Sequence, residues 1–108
     1  PLYSSAASDV YKRQLYGPIV GHVGDGNFHV QLMVDPKIKE EVDTANAFLE
    51  RLAHRAINMD GTCTGEHGVG QGKKQYLIDE LGPAVDFMKL IKQEIDPKGI
   101  MNPGKILQ

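Results

Sequence analysis

The chain has 108 residues, 14 acidic against 12 basic side chains, and a formal net charge of −2. That length suits one domain, and the mild acidity argues against a nucleic-acid partner, which would be met by a basic face. No apolar run exceeds three residues, far short of the roughly 20 that a membrane-spanning helix needs. The single cysteine, Cys63, rules out an internal disulfide or a zinc ribbon.

Residues 1–14, PLYSSAASDVYKRQ, have no initiating Met, no clean period and no apolar stretch of the signal-peptide kind. They are expected to be a non-native or disordered tail, and no function is placed there.

Residues 19–23 read as a strand. After Gly24-Asp25-Gly26-Asn27 comes a second one, in which Phe28, Val30, Leu32 and Val34 alternate with His29, Gln31 and Met33. The Asp-Gly pair predicts a hairpin with a two-residue type I′ turn at Asp25 and Gly26. That register sets His22 opposite His29 on one sheet face, with Cβ atoms about 4.5–5.5 Å apart. Two imidazoles so placed can chelate one divalent ion; the plainer alternative is a pair of histidines on a solvated face.

Asp35-Pro36 predicts the start of a long helix, since Asp caps well and Pro suits the first helical position. Its apolar face is Ile38, Val42, Ala45, Leu49, Leu52 and Ala56. Asp60-Gly61 should end it, with Gly61 left-handed.

A glycine-rich loop follows, TCTGEHGVGQG over residues 62–72. Glycine lets a ligand approach the backbone. Glu66 can complete a His22/His29/Glu66 metal set that leaves positions open for substrate, and His67 can serve as general base. The competing reading is a mobile loop with incidental polar residues. Two phosphate motifs fail here. The P-loop glycine position holds His67 and its Ser/Thr position Lys74. The glycines at 68, 70 and 72 lack the dinucleotide fingerprint spacing.

Residues 73–81 and 84–95 predict two short helices separated by Gly82-Pro83, the second with Val85, Met88, Ile91 and Ile95 on one face. The chain closes on turn chemistry at residues 96–105. His54 is expected on the polar side of the long helix, Cys63 as a small packed residue, and Met33, Met59, Met88 and Met101 as gap filling.

Three motifs now stand in order: GHVGDGNFH from Gly21, CTGEHGVGQGKK from Cys63 and DPKGIMNPGKIL from Asp96. Together they resemble the C-terminal end of FAD-linked oxidoreductases of the vanillyl-alcohol oxidase type, nearest the branch that oxidises D-lactate, glycolate and D-2-hydroxyglutarate. The resemblance implies oxidation of a D-2-hydroxy acid to a 2-oxo acid, with hydride passed to flavin. It implies His22, His29 and Glu66 as ligands of zinc or manganese and His67 as the base against the substrate. Gln31 falls where some relatives touch the substrate, often through asparagine, and Asn102 falls close to the flavin.

The fold class so implied is α+β. Residues 15–61 would end an antiparallel-sheet cap domain, as a hairpin plus a long helix. Residues 62–108 would be a helical piece that packs on an FAD-binding domain lying outside this chain. The implied cofactors are FAD, held mostly by that domain, and the divalent metal. The implied partners are a small 2-hydroxy acid and an electron acceptor such as cytochrome c, a quinone or electron-transfer flavoprotein. The compartment would be cytoplasmic or peripheral to a membrane in a bacterium and mitochondrial in a eukaryote. As a fragment the chain is expected to be inactive and to expose apolar surface. A stand-alone metal-binding module and a metal-assisted hydrolase using Glu66 or His67 are the competing functions.

Overall fold

The computed structural model describes residues 6–8, a single helical turn, and residues 15–107. The expectation of a disordered or non-native tail over 1–14 therefore falls mostly outside the described residues.

Two strands, β1 (Ile19–His22) and β2 (Asn27–Val30), pair antiparallel. The register differs from the expected one. His29 faces Val20 and His22 faces Asn27. The reversal takes four residues instead of two: a 3-10 turn at Val23–Asp25 and then Gly26 at φ 70°. A type I′ turn would need positive φ at both Asp25 and Gly26. The observed turn confines the left-handed conformation to the glycine, which bears it without steric cost.

The alternation through Val34 does not become regular strand throughout. Gln31 donates its amide to the Pro18 carbonyl at 3.0 Å, but Pro18 has no N–H to return the bond. The ladder resumes only as an isolated bridge, with the Met33 amide on the Tyr16 carbonyl at 2.9 Å.

Helix α1 (Lys39–Ile57) starts later than expected. The Asp35 carboxylate accepts the Lys37 amide at 2.9 Å, and the Asp35 carbonyl accepts the Ile38 amide at 3.0 Å. Asp35 thus closes a turn of its own one step before the helix, a usual use of a short acceptor side chain. Glu40 and Glu41 in the first turn and His54 and Arg55 in the last complement the helix dipole. At the far end Asp60, not Gly61, takes positive φ, at 57°. Gly61 is needed for space instead, since a Cβ there would stand 2.9 Å from the Ala56 carbonyl oxygen.

The glycine loop leads into α2 (Lys74–Leu81), and Gly82-Pro83 separates it from α3 (Ala84–Ile95). The core is small. Ala53 of α1, Cys63 of the loop and Tyr76 of α2 are buried together, with Ile57 packed against them. Along α1 the buried positions are Ala45, Phe48, Ala53 and Ala56, while Ile38 and Leu49 of the expected apolar face are exposed. On α3 only Val85 is buried, and Phe87, Leu90 and Ile95 are 66, 60 and 67 % exposed.

The chain is accordingly open. Its accessible surface is 7800 Å², against about 5900 Å² for a compact monomer of its mass. Its radius of gyration is 16.0 Å, against about 13 Å. Hairpin, long helix and helical C-terminal piece agree with an α+β fragment. No helix among the described residues is long and apolar enough to cross a membrane.

Candidate metal and active site

Strand β2 and the glycine loop bring three donors together. His29 Nε2 and Glu66 Oε1 are 2.8 Å apart in a hydrogen bond. His67 Nε2 is 3.8 Å from the same carboxylate oxygen. The two imidazoles stack, with ring centroids 4.7 Å apart and planes at 29°. One ligand atom from each residue lies within 4.8 Å of the others.

The loop that carries Glu66 and His67 is framed on several sides. The Thr64 hydroxyl donates to the Gly68 carbonyl at 2.7 Å, which turns the chain around the Glu66-His67 pair. Gly68 completes that turn at φ 73°, a conformation that disfavours a side chain. The Lys73 ammonium donates to the Cys63 carbonyl at 2.7 Å. The Cys63 amide donates to the Glu80 carboxylate at 2.9 Å. On the far side the Ile106 amide donates to the Gly70 carbonyl at 2.8 Å, and the Lys74 ammonium reaches the Gly104 carbonyl at 3.2 Å. The C-terminal turn is thereby joined to the loop.

Two of these framing groups have shifted acidities. Burial, and then the neighbouring Glu80, push the Cys63 thiol up to about 11. Glu80 itself sits below the ordinary carboxylate range. Its partial burial works against this, but hydrogen bonds from the Cys63 amide and the Thr62 and Cys63 side chains outweigh it. Cys63 is therefore a packed, protonated residue, in line with its sequence reading.

The expected site residues fall as follows. His29, Glu66 and His67 converge. His22 shares the hairpin face with His29, but diagonally and not directly opposed, and it lies outside the group of three. Gln31 is exposed two residues along from His29, on the same face by strand alternation. Asn102 is exposed at φ 47°, in the turn tied to the glycine loop. His54 is not simply solvated: its ring meets Tyr76 edge-on at 5.4 Å, and Nδ1 is 3.9 Å from Asp79. A broad open groove of about 1420 Å³ lies between α1, α2 and the loop, with Glu66 among its lining residues and the two histidines of the cluster outside it.

The His29–Glu66 pair suits a divalent ion. His29 Nε2 and Glu66 Oε1, 2.8 Å apart, can close on one centre with bonds of about 2.0–2.2 Å, and imidazole with carboxylate suits several metals. The glycine loop does not carry the Rossmann-type fingerprint, and Asn102 is exposed. Sequence reasoning missed two features. It did not foresee that the His67 ring stacks on His29. It also gave no role to Asn27, whose side chain lies against Gly65.

The family model for FAD linked oxidases, C-terminal domain, matches residues 4–106. The chain is 52% identical over 102 residues to a probable mitochondrial D-lactate dehydrogenase of Danio rerio, covering 94% of this chain and 20% of that protein. It is also 52% identical over 101 residues to mitochondrial D-lactate dehydrogenase [cytochrome] 1 of Saccharomyces cerevisiae, covering 93% and 17%. A glycolate oxidase subunit of Bacillus subtilis is 41% identical over 87 residues, covering 80% and 18%. The chain therefore spans about a fifth of the length of these relatives. It belongs to the FAD-linked oxidase family and matches within that family's C-terminal domain.

Proposed function

We propose, on the premise of that membership, that this chain is the C-terminal part of a flavoenzyme that oxidises a D-2-hydroxy acid, D-lactate foremost, to the 2-oxo acid. The observation that carries the reading is the convergence of His29, Glu66 and His67 from segments 37 residues apart. Flavin would be held by the rest of the protein, packed against the exposed faces of α3 and the C-terminal turn, with Asn102 near it. When bound there, it supplies the hydride acceptor that no side chain can provide.

His29 and Glu66 would hold a divalent ion, zinc or manganese, with His22 swinging from its diagonal position to join them. The ion supplies Lewis acidity, which lowers the cost of removing the substrate's hydroxyl proton. His67 takes that proton at Nε2, as the general base. Gln31, on the same strand face as His29, orients the substrate through its side-chain amide. The yeast and fish relatives are named mitochondrial, and the yeast one carries "cytochrome" in its name. A mitochondrial location for a eukaryotic source and a cytochrome as electron acceptor follow as parts of the proposal.

The test uses the full-length protein. Metal content is measured alongside anaerobic bleaching of the flavin by D-lactate. His29→Ala and Glu66→Ala should each lose metal by roughly tenfold or more. His67→Gln should keep the metal and slow bleaching by about 10²–10⁴. Full activity after complete metal removal would sink the metal assignment. An unimpaired His67→Gln variant would sink the base. Metal bound with no D-2-hydroxy acid oxidised would leave a metal-binding module as the better reading.

A further inference from the structure

Gly65 lies where a Cβ would meet the movable end of the Asn27 side chain, and its backbone does not require glycine. Its φ is not left-handed, unlike those of Gly68 and Gly70, so the local conformation admits alanine. A Cβ there would stand 3.1 Å from Asn27 Cγ and closer still to Oδ1. The Asn27 carboxamide thus packs against loop backbone one residue before Glu66.

Asn27 and His29 share a face of β2 by alternation, and Gly65 and Glu66 are neighbours on the loop. The contacts form two adjacent rungs, Asn27 against Gly65 and His29 against Glu66 at 2.8 Å. The second rung joins partly solvated groups, and such a pair has little power of its own to hold two segments together. The first is a van der Waals contact of the carboxamide with loop backbone, which resists closer approach.

From this juxtaposition we infer that Asn27 is a positioning residue: its carboxamide is a spacer against Gly65 that sets the strand-to-loop distance at which Glu66 meets His29. The inference rests on reading His29 and Glu66 as one site. It entails a particular non-additivity. An added methyl at 65 pushes the loop away, and a truncated side chain at 27 lets it slump. The two changes together partly refill the same volume.

The experiment compares Gly65→Ala, Asn27→Ala and the double variant in the full-length protein. Two readouts are taken, the His29–Glu66 separation in crystal structures and the affinity of the metal-free protein for Zn²⁺. Gly65→Ala should open the separation beyond about 3.5 Å, past hydrogen-bond reach, and weaken zinc binding roughly tenfold. Asn27→Ala should also change the separation and weaken zinc. The double variant should bind zinc more tightly than Gly65→Ala alone, because sites in contact couple.

A double variant as weak as the product of the two singles would overturn the spacer. So would Asn27→Ala with an unchanged His29–Glu66 distance, and that variant decides the matter if Gly65→Ala does not fold. A wild-type protein that binds no zinc would remove the metal reading, while the crystal separations still decide for or against the spacer.

Discussion

Ile106 donates its backbone amide to the Gly70 carbonyl at 2.8 Å while held at φ 58°. A β-branched residue in the left-handed region is strained by roughly 1–2 kcal/mol, so the bond to the glycine loop is made from an unfavourable conformation. Ile106→Asn keeps the amide and tolerates the conformation better. It should raise the stability of the full-length protein by about 1 kcal/mol, read from denaturant midpoints. Removing residues 103–108 should instead speed amide hydrogen exchange across residues 65–72, because the loop loses its outer tie. Unchanged exchange there would mean that the C-terminal turn does not restrain the loop.

Cys63 should be chemically quiet. With its thiol pushed up to about 11 by burial and by Glu80, the thiolate fraction at neutral pH lies two or more orders of magnitude below that of an ordinary cysteine. Iodoacetamide should label it at least about 100-fold more slowly in the folded protein than in denaturant. Fast native-state labelling would contradict the buried placement between Ala53 and Tyr76.

Asp96 organises the end of α3. Its carboxylate is paired with the Lys92 ammonium and accepts the amides of Ile100 at 3.0 Å and Met101 at 2.9 Å. Lys92 first, and then these amides, outweigh desolvation and hold Asp96 below its ordinary value. A lowered acid contributes stability that is complete above its unfolded pKa and is lost as pH falls through the folded one. The wild type should therefore melt above Asp96→Asn by a constant margin at pH 5–7, and the margin should shrink below about pH 4. A margin that widens on acidification would contradict the assignment. Thermal melts of the full-length pair at several pH values read it directly.

The exposed apolar face of α3 should behave oppositely in two settings. Phe87→Glu with Ile91→Glu should increase the solubility of the 108-residue chain studied alone. The same pair should destabilise the full-length protein by about 3 kcal/mol or more, at roughly 1.5–3 kcal/mol for each large apolar side chain kept from burial. Equal stability of the full-length pair would mean that nothing packs on this face.

Local punctuation was legible in the sequence; tertiary partnership was not. Gly82-Pro83 and Asp96-Pro97 bound α3 at Ala84–Ile95 as expected, because proline and glycine act through their own backbones. The hairpin was legible as an element but not in register. Asp25-Gly26 fits a two-residue turn and equally the end of a longer one, and the cost of positive φ at Asp25 favours the latter. The face of α1 was read from periodicity, which finds apolar positions without saying which are covered. Ile38 and Leu49 stay exposed while Phe48 is buried. At the site, the motifs pointed to His29, Glu66 and His67 as chemistry-bearing residues. The placement of His67 beside the His29–Glu66 pair depends on a loop path held by Thr64, Lys73 and Ile106, none of which has a local sequence signature.

The 37-residue separation of His29 and Glu66 would make an ion held between them a crosslink of the chain. Any group gripping both residues closes the loop that contains the whole of α1. In the chain-entropy treatment used for disulfides, a closure of that length removes about 4 kcal/mol of freedom from the unfolded ensemble. Neither donor alone can fasten hairpin to loop, so such a clasp forms only after the second segment has been synthesised and brought back to the first.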